Sequence, residues 1–181
     1  MTAIDAHLGQ TRAVRSDGID IRPATDVDLP GIVEIYNVSV TTTATWSETP
    51  QTLDERRAWF RARSDAGDGV VVAVEEDEVV GFAAYGEFRN PHWTGYRYTV
   101  ENTVHVRDGW SGKGIGRSLM EALIDHAATN GKHVMVAAVD GENEGSVTFH
   151  ERLGFTVVGR MPEVGRKFDR WLDLVLLQRI L

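Results

Sequence analysis

The chain has 181 residues, of which 42% are hydrophobic and 25% charged, the balance of one globular domain with a sizeable core. Its net charge of −8 disfavours general binding to nucleic acid, which needs Lys and Arg at phosphates. The lack of cysteine excludes disulfides, thiolate metal sites and cysteine nucleophiles. No apolar run approaches the roughly 20 residues that span a bilayer. Residues 1–10 lack the pattern of a secretory signal, so we expect a cytoplasmic protein.

Residues 1–18 show no clear period and few large apolar side chains, so we interpret them as a flexible N-terminal extension. The domain is expected to cover residues 19–181. Its periodicities predict an α+β fold, with a mixed, mostly antiparallel sheet of six or seven strands flanked by about four helices. The predicted elements, in chain order, are a strand at 19–22, a helix from about 26, a helix at 53–63, strands at 70–74, 79–85 and 98–106, a helix at 114–130, a strand at 133–139, a helix at 144–153, and strands at 155–159 and 171–178.

A glycine-rich turn between a strand and a helix, at residues 104–117, is the most informative segment. It reads Val-His-Val-Arg-Asp-Gly-Trp-Ser-Gly-Lys-Gly-Ile-Gly-Arg. Glycines let a backbone approach a ligand, and the free N–H groups and dipole of a helix N-terminus favour a pyrophosphate. Lys113 and Arg117 add formal charge, although a tight strand-to-helix connection would explain the same glycines. Neither a P-loop nor the acidic residue of a dinucleotide fold accompanies this turn.

A second motif lies at residues 143–155 and contains the helix predicted at 144–153. Together with Ser111-Gly112-Lys113-Gly114-Ile115-Gly116 they resemble the paired signature of the GNAT N-acetyltransferase superfamily. That family's cofactor loop reads Gln/Arg-x-x-Gly-x-Gly/Ala, so Ser111 departs from it at the first position. The later helix usually carries Asn-x-x-Ala and a Tyr, where this chain has Ser146 and His150. The resemblance implies the GNAT fold from about residue 21 to the C-terminus.

Several further stretches resemble the phosphinothricin and methionine sulfoximine acetyltransferase branch. This branch is similar in having a His at position 150, in residues 98–101 and 131–137, and in the segments around Trp46 and at residues 165–174. The resemblance implies acetyl-CoA as cosubstrate and a small amine as acceptor.

The same resemblance implies that acetyl-CoA lies between the strands at 98–106 and 133–139. The pantetheine arm would pair with the backbone of Val104 and Val106, and the pyrophosphate would lie on residues 112–117. Asn143 is a plausible helix N-cap that could also contact the arm. The residues implied for the cofactor are Val104, His105, Val106, Gly112, Lys113, Gly114, Ile115, Gly116, Arg117 and Asn143.

Glu101 is the candidate general base, because an ammonium group must lose a proton before it attacks a thioester. Its alternative is a cross-strand salt bridge. His150 could orient the acceptor or protonate the leaving thiolate, or it could simply pack in its helix.

Arg89 and Arg97 are candidates to grip an acceptor carboxylate, because a guanidinium binds such a group with two hydrogen bonds. Trp46, with Trp93, would supply an aromatic wall. The acceptor residues expected are therefore Arg89, Arg97, Glu101 and Trp46. The histidines show no metal-ligand spacing, so no metal is expected.

Two other functions remain open from the sequence alone. One is a protein N-terminal or lysine acetyltransferase, which would need an open groove for a peptide. The other is a non-catalytic acyl-CoA-binding sensor, which would keep the glycine turn and lose the chemistry of Glu101. For the acetyltransferase we expect a homodimer that has neither a nucleic acid nor a membrane as partner.

Overall fold

The order of strands and helices is the one that the sequence predicts from residue 19 onward. The computed structural model describes residues 14–16 and 18–181 of the chain. The strands are β1 Val14–Ser16, β2 Ile19–Pro23, β3 Val70–Glu75, β4 Glu78–Glu87, β5 Thr99–Val106, β6 Val134–Asp140, β7 Thr156–Lys167 and β8 Arg170–Ile180. The helices are α1 Leu29–Val40, α2 Leu53–Ala66, α3 Ile115–Thr129 and α4 Glu144–Arg152.

The extension predicted for residues 1–18 is only partly covered by the described residues. β1 lies within it and pairs with β2, so residues 14–16 belong to the sheet rather than to an extension. Residues 1–13 and 17 lie outside the described residues, and the rest of that prediction lies with them.

The described strands form one mixed sheet in the order β1-β2-β3-β4-β5-β6-β8-β7. Neighbouring strands are antiparallel, except that β5 and β6 run parallel. α3 makes the crossover that a parallel pair requires. With four helices around this sheet, the predicted fold class is confirmed, and the short β1 is added at its edge.

Two apolar cores cover the two faces of the sheet, because successive side chains of a strand point to opposite faces. On β4, Phe82 and Ala84 pack in the core under α1, whereas Ala83 and Tyr85 pack in the core under α3. The helix predicted at 114–130 is confirmed as α3, and its buried residues are Ile115, Leu119, Met120, Ala122, Leu123, Ile124 and Ala127.

The last two strands are longer than the predicted 155–159 and 171–178. β7 lies at the sheet edge and is exposed along most of its length, so its sequence shows no alternation. Its pairing with β8 also shifts register between Val157 and Gly159 and between Met161 and Gly165. Proline is tolerated at bulges and on edge strands, so β7 continues through Pro162, although a proline in a sequence usually indicates the end of a strand.

The sequence predicts neither a membrane-spanning segment nor a metal site. Within residues 14–16 and 18–181, no helix combines the length and apolar character that crossing a membrane requires. The same part of the chain brings together no group of three His, Asp or Glu side chains able to hold a metal ion. The cytoplasmic location and the absence of metal, membrane and nucleic acid stay predictions from the sequence.

Candidate active site

β5 and β6 separate part-way along the sheet. They pair only between residues 99–101 of β5 and residues 134–136 of β6. Beyond that point β5 stays paired with β4 as far as Val106, and β6 stays paired with β8 as far as Asp140. The two strands therefore enclose a V-shaped gap, with Glu101 at its closed end.

The backbone of β5 directs polar groups into this gap. The N–H of Arg107 donates to the carbonyl of Val80 on β4 at 2.9 Å. Because backbone groups alternate in direction along a strand, the N–H and C=O groups of Val104 and Val106 point away from β4 and into the gap. The backbone of His105, between them, is turned toward β4. Val104 and Val106 thus offer an open ladder edge to an extended polar ligand.

A cavity of about 660 Å³ lies beside the gap. We call it the cofactor cavity; β5, α4 and the turn that leads into α3 form its walls. The structure thereby brings the glycine turn and the α4 motif together. Of the residues implied for the cofactor, those that line it are Val104, Val106, Gly112, Gly114, Ile115, Gly116 and Arg117.

The start of α3 suits a ligand with negative charge. Gly112 and Gly114 both have φ of 81°, a left-handed conformation that favours glycine. The Ser118 N–H donates to the Gly114 carbonyl at 3.0 Å, which makes the first turn of the helix. The N–H groups of residues 115–117 therefore lack intrahelical partners and, with the helix dipole, attract phosphate oxygens.

Three residues implied for the cofactor lie outside this lining. The ammonium of Lys113 lies 4.0 Å from the centre of the Trp110 ring. The side chain of His105 lies in a second cavity, described below. Asn143 also lines that second cavity, and its Oδ1 accepts from the Ser146 N–H at 3.0 Å, which confirms the predicted N-cap of α4.

The second cavity has a volume of about 630 Å³, and we call it the acceptor cavity. It meets the cofactor cavity at Val104 and Ser146, which line both. Its walls come from the loop after α1, from β5, β6 and α4, and from β7 and β8. Four residues predicted for catalysis or acceptor binding line it together, namely Glu101, His150, Arg89 and Trp46.

Glu101 is partly buried in this cavity. Burial raises the pKa of its carboxyl, and the positive charge of Arg89 opposes that rise. A raised pKa brings the carboxylate closer to the range in which it takes protons efficiently near neutral pH. The environment of Glu101 therefore suits a general base.

His150 lies where α4 packs against the sheet, and only 3% of its surface is exposed. Its ring lies edge-on to the rings of Phe149 and Phe155, at 5.1 and 5.2 Å between centres. Its Nδ1 lies 2.8 Å from the carbonyl oxygen of Ser146. Burial lowers the pKa of this imidazole. His150 thus has one fixed orientation at the edge of the acceptor cavity.

Only one of the two predicted arginines lines the acceptor cavity. Arg89 lines both this cavity and a neighbouring groove of about 150 Å³, whereas Arg97 and Trp93 line the groove alone. The guanidinium of Arg97 donates to the Thr94 carbonyl at 2.9 Å and covers the Tyr98 ring at 4.4 Å. The structure therefore does not bring Arg97 or Trp93 to the acceptor cavity.

A match to a family model identifies the protein family to which this chain belongs. Residues 31–155, which include β5, the glycine turn and α4, match the model described as the Acetyltransferase (GNAT) family. The chain belongs to the GNAT acetyltransferase family. The resemblance identified from the glycine turn and the α4 motif is confirmed, and the chain is an acetyltransferase.

Relatives of this acetyltransferase cover nearly all of the chain. The L-methionine sulfoximine/L-methionine sulfone acetyltransferase of Pseudomonas paraeruginosa is 51% identical over 160 residues, 87% of this chain and 92% of that protein. A phosphinothricin acetyltransferase from Sinorhizobium meliloti, solved in complex with acetyl-CoA, is 36% identical with a TM-score of 0.86, covering 91% of this chain and 89% of that one. A ribosomal-protein-alanine N-acetyltransferase from Brucella melitensis is 41% identical with a TM-score of 0.86, covering 89% and 99%.

Sequence reasoning missed Arg56, a charged residue that lies beside the acceptor cavity of this acetyltransferase. Arg56 of α2 is 2% exposed, and its guanidinium lies 4.3 Å from the Tyr36 ring centre and 4.4 Å from that of Trp59. Burial lowers the pKa of Arg56 to about 10. Burial and, secondarily, the charge of Arg56 lower the pKa of His105 to about 4. His105 therefore lines the cavity as a neutral ring at neutral pH.

The loop that carries Trp46 is anchored by the β7–β8 hairpin. Lys167, at the end of β7, is 1% exposed, and its ammonium donates to the carbonyls of Thr42 and Thr45 at 2.6 Å each. A side chain at Gly165 would overlap the Trp46 ring, so the ring lies directly on the β7 backbone. One buried cation thus holds a wall of the acceptor cavity in place.

Replacing Lys167 with Met should loosen this wall. We expect the free energy of unfolding to fall by roughly 2–4 kcal/mol, because two charged hydrogen bonds are lost. Urea denaturation measures the change. The matched control is Lys113→Met, which removes an exposed cation over a ring and should cost only about 0.5–1 kcal/mol. Equal losses in the two variants would contradict the anchoring role of Lys167.

Proposed function

We propose that this acetyltransferase moves the acetyl group of acetyl-CoA directly onto the α-amine of a small amino-acid analogue of the methionine sulfoximine, methionine sulfone or phosphinothricin type. The observation that carries the proposal is the meeting of the two cavities at Val104 and Ser146, with Glu101 on the acceptor side. A cosubstrate in one cavity would present its acyl group to an amine in the other. The Pseudomonas and Sinorhizobium relatives bear the names of acetyltransferases for such compounds.

The cofactor cavity fits the parts of an acyl-CoA. The amide groups of a pantetheine arm would hydrogen-bond with the backbone of Val104 and Val106, as an added strand does at a sheet edge. The pyrophosphate would accept from the N–H groups at residues 112–117, where Arg117 adds charge. Asn143, at the start of α4, would lie beside the arm.

The chain's own groups can move the protons of the reaction. Acetyl-CoA would supply an activated acyl group, from which the amine displaces the thiol as a carbon–nitrogen bond forms and the carbon–sulfur bond breaks. Glu101 would take a proton from the acceptor ammonium and so free its lone pair. His150 would give a proton to the departing sulfur, and the nitrogen would lose its second proton to solvent as the amide forms. Because the chain has no cysteine to carry an acetyl group, we expect direct transfer in a ternary complex.

The acceptor cavity favours a small zwitterion. Arg89 can grip a carboxylate with two hydrogen bonds, which a point charge cannot match. Trp46 offers an aromatic wall for a short sulfur- or phosphorus-bearing side chain. A volume of about 630 Å³ is in the range of small-molecule sites.

Acetylation of a protein N-terminus is the second candidate, since the Brucella relative is named for a ribosomal protein. An extended peptide needs an open groove, however. The loop after α1 and the β7–β8 hairpin both line the acceptor cavity and are tied together through Lys167. Walls fixed in this way favour the small acceptor.

We also propose that the enzyme is a homodimer. The β7–β8 hairpin exposes a cluster of large apolar side chains, namely Val158, Met161, Val164, Phe168 and Trp171. Exposed apolar surface along a long edge strand is typical of an interface between protein copies. Since Met161 and Val164 also line the acceptor cavity, a second copy would lie next to it.

Glu101→Gln should lower kcat by roughly 10²–10⁴-fold, because the amide cannot take the ammonium proton. In the native enzyme kcat/KM should rise with pH as Glu101 loses its proton. Burial raises that pKa, so the rise should be centred above the ordinary carboxyl value of about 4.3. The Gln variant should lack this limb of the pH profile.

The matched control for that measurement is Glu87→Gln, an exposed carboxylate on the neighbouring strand that does not line the acceptor cavity. It should turn over at the native rate. Near-normal turnover of Glu101→Gln at neutral pH would remove Glu101 from the mechanism.

Arg89→Ala should lower kcat/KM for methionine sulfone by roughly ten- to a hundredfold, because a charged hydrogen-bonded pair with the carboxylate is lost. The loss should nearly vanish for the carboxamide of the same acceptor, which has no charge to grip. Steady-state rates of thiol release with both acceptors measure this difference.

Arg97→Ala is the control, since Arg97 lies outside the acceptor cavity and should leave both rates unchanged. The proposal is contradicted if Arg89→Ala treats both acceptors as the native enzyme does. It is also contradicted if peptides with free N-termini are much better acceptors than methionine sulfoximine, methionine sulfone and phosphinothricin.

A further inference from the structure

Asn102 stands at the point where β5 and β6 separate. Its Nδ2 donates to the carbonyl of Val136 at 2.9 Å, and Val136 is the last residue of β6 that pairs with β5. Its Oδ1 lies 3.3 Å from Nε2 of His150. If the amide of Asn102 were rotated by 180°, its oxygen would lie 2.9 Å from the Val136 carbonyl oxygen, and two acceptors would face each other. The Val136 carbonyl therefore determines that Oδ1, and not Nδ2, faces His150.

The other ring nitrogen of His150 is already committed. A carbonyl oxygen only accepts, so Nδ1, at 2.8 Å from the Ser146 carbonyl, carries a hydrogen. In the neutral ring Nε2 would then be a lone pair facing the lone pairs of Asn102 Oδ1. Only the protonated ring, with a hydrogen on both nitrogens, satisfies Ser146 and Asn102 together.

The surroundings of His150 otherwise oppose a positive charge. Burial lowers the pKa of the ring, and Phe149 and Phe155 contact it edge-on. The hydrogen bond to the Ser146 carbonyl favours the charge, and the carboxylates on the strands that line the same cavity are Glu101 on β5 and Asp140 on β6. The remaining charged groups on α4 and on the strands packed against it are Glu144, Glu151, Arg152, Arg160, Glu163, Arg166, Lys167, Arg170, Asp173 and Arg179.

We propose that Asn102 is a positioning residue that holds the Nε2 proton of His150 at the acceptor cavity, next to Ser146, which lines both cavities. Building on the function proposed above, it would keep His150 able to give that proton to the departing sulfur. The sulfur gains the proton as the carbon–sulfur bond breaks, and His150 recovers one from solvent. Asn102 acts through His150 and needs no contact with either substrate.

Imidazole nitrogen NMR of the free enzyme tests this directly. The chain has six histidines, and the signals of His150 are those missing from His150→Gln. Asn102→Leu should lower the pKa of His150 by about one pH unit, since a hydrogen bond to the charged ring is lost. Asn102→Asp should raise that pKa, because a carboxylate then faces the ring.

Kinetic measurements distinguish a positioning role of Asn102 from a purely structural one. Asn102→Leu should lower kcat about tenfold or more, while its dissociation constant for acetyl-CoA stays within about twofold of the native value. An unchanged pKa of His150 in a Leu variant that still binds acetyl-CoA overturns the proposal. If that variant does not fold, a pKa that does not rise in Asn102→Asp overturns it instead.

The NMR experiment needs no acceptor, so it separates this inference from the proposed function. If the pKa of His150 shifts as expected but no amino-acid analogue is acetylated, the positioning role stands and the proposed acceptor is wrong. If the analogues are acetylated and the pKa does not move, only the role of Asn102 is wrong.

Discussion

The proposed active site depends on the place where the hydrogen bonds between β5 and β6 stop. Had the two strands paired along their whole length, the backbone groups of Val104 and Val106 would have been satisfied inside the sheet and no gap would exist. Polar backbone groups need partners, so an open ladder edge beside a cavity favours an extended ligand with amides of its own. The same divergence sets the N-terminus of α3 on one side of the gap and α4 on the other, which makes one continuous path through two cavities.

Burial controls the charges along that path. Desolvation disfavours whichever form of a group is charged, so it raises the pKa of Glu101 and lowers those of His105 and His150. Near neutral pH the carboxylate is thereby made a better base, and His105 is held neutral beside the buried cation of Arg56. By contrast, Oδ1 of Asn102 faces Nε2 of His150 and favours the protonated form of that ring. Acid and base functions could thus be divided between two side chains that line one cavity.

Most of the lining of the cofactor cavity could be predicted from the sequence because its determinants are local. A glycine turn followed by an amphipathic helix is read within one stretch of chain, and the N-cap of α4 needs only Asn143 and its neighbours. The acceptor side depends on long-range contacts. Asn102 meets His150 across 48 positions and Lys167 meets Thr42 across 125, and no periodicity reports such pairs. Arg97 lies outside the cavity because the turn before β5 sends its side chain to the Thr94 carbonyl.

The central claim is that acetyl-CoA completes the open edge of β5. Residue-resolved hydrogen exchange with and without acetyl-CoA tests it most directly, because it reports each backbone N–H separately. The account predicts that exchange at Val104 and Val106 slows about tenfold or more when acetyl-CoA binds, whereas His105, whose N–H already faces β4, changes much less. Bound acetyl-CoA that leaves exchange at Val104 and Val106 unchanged would contradict the account.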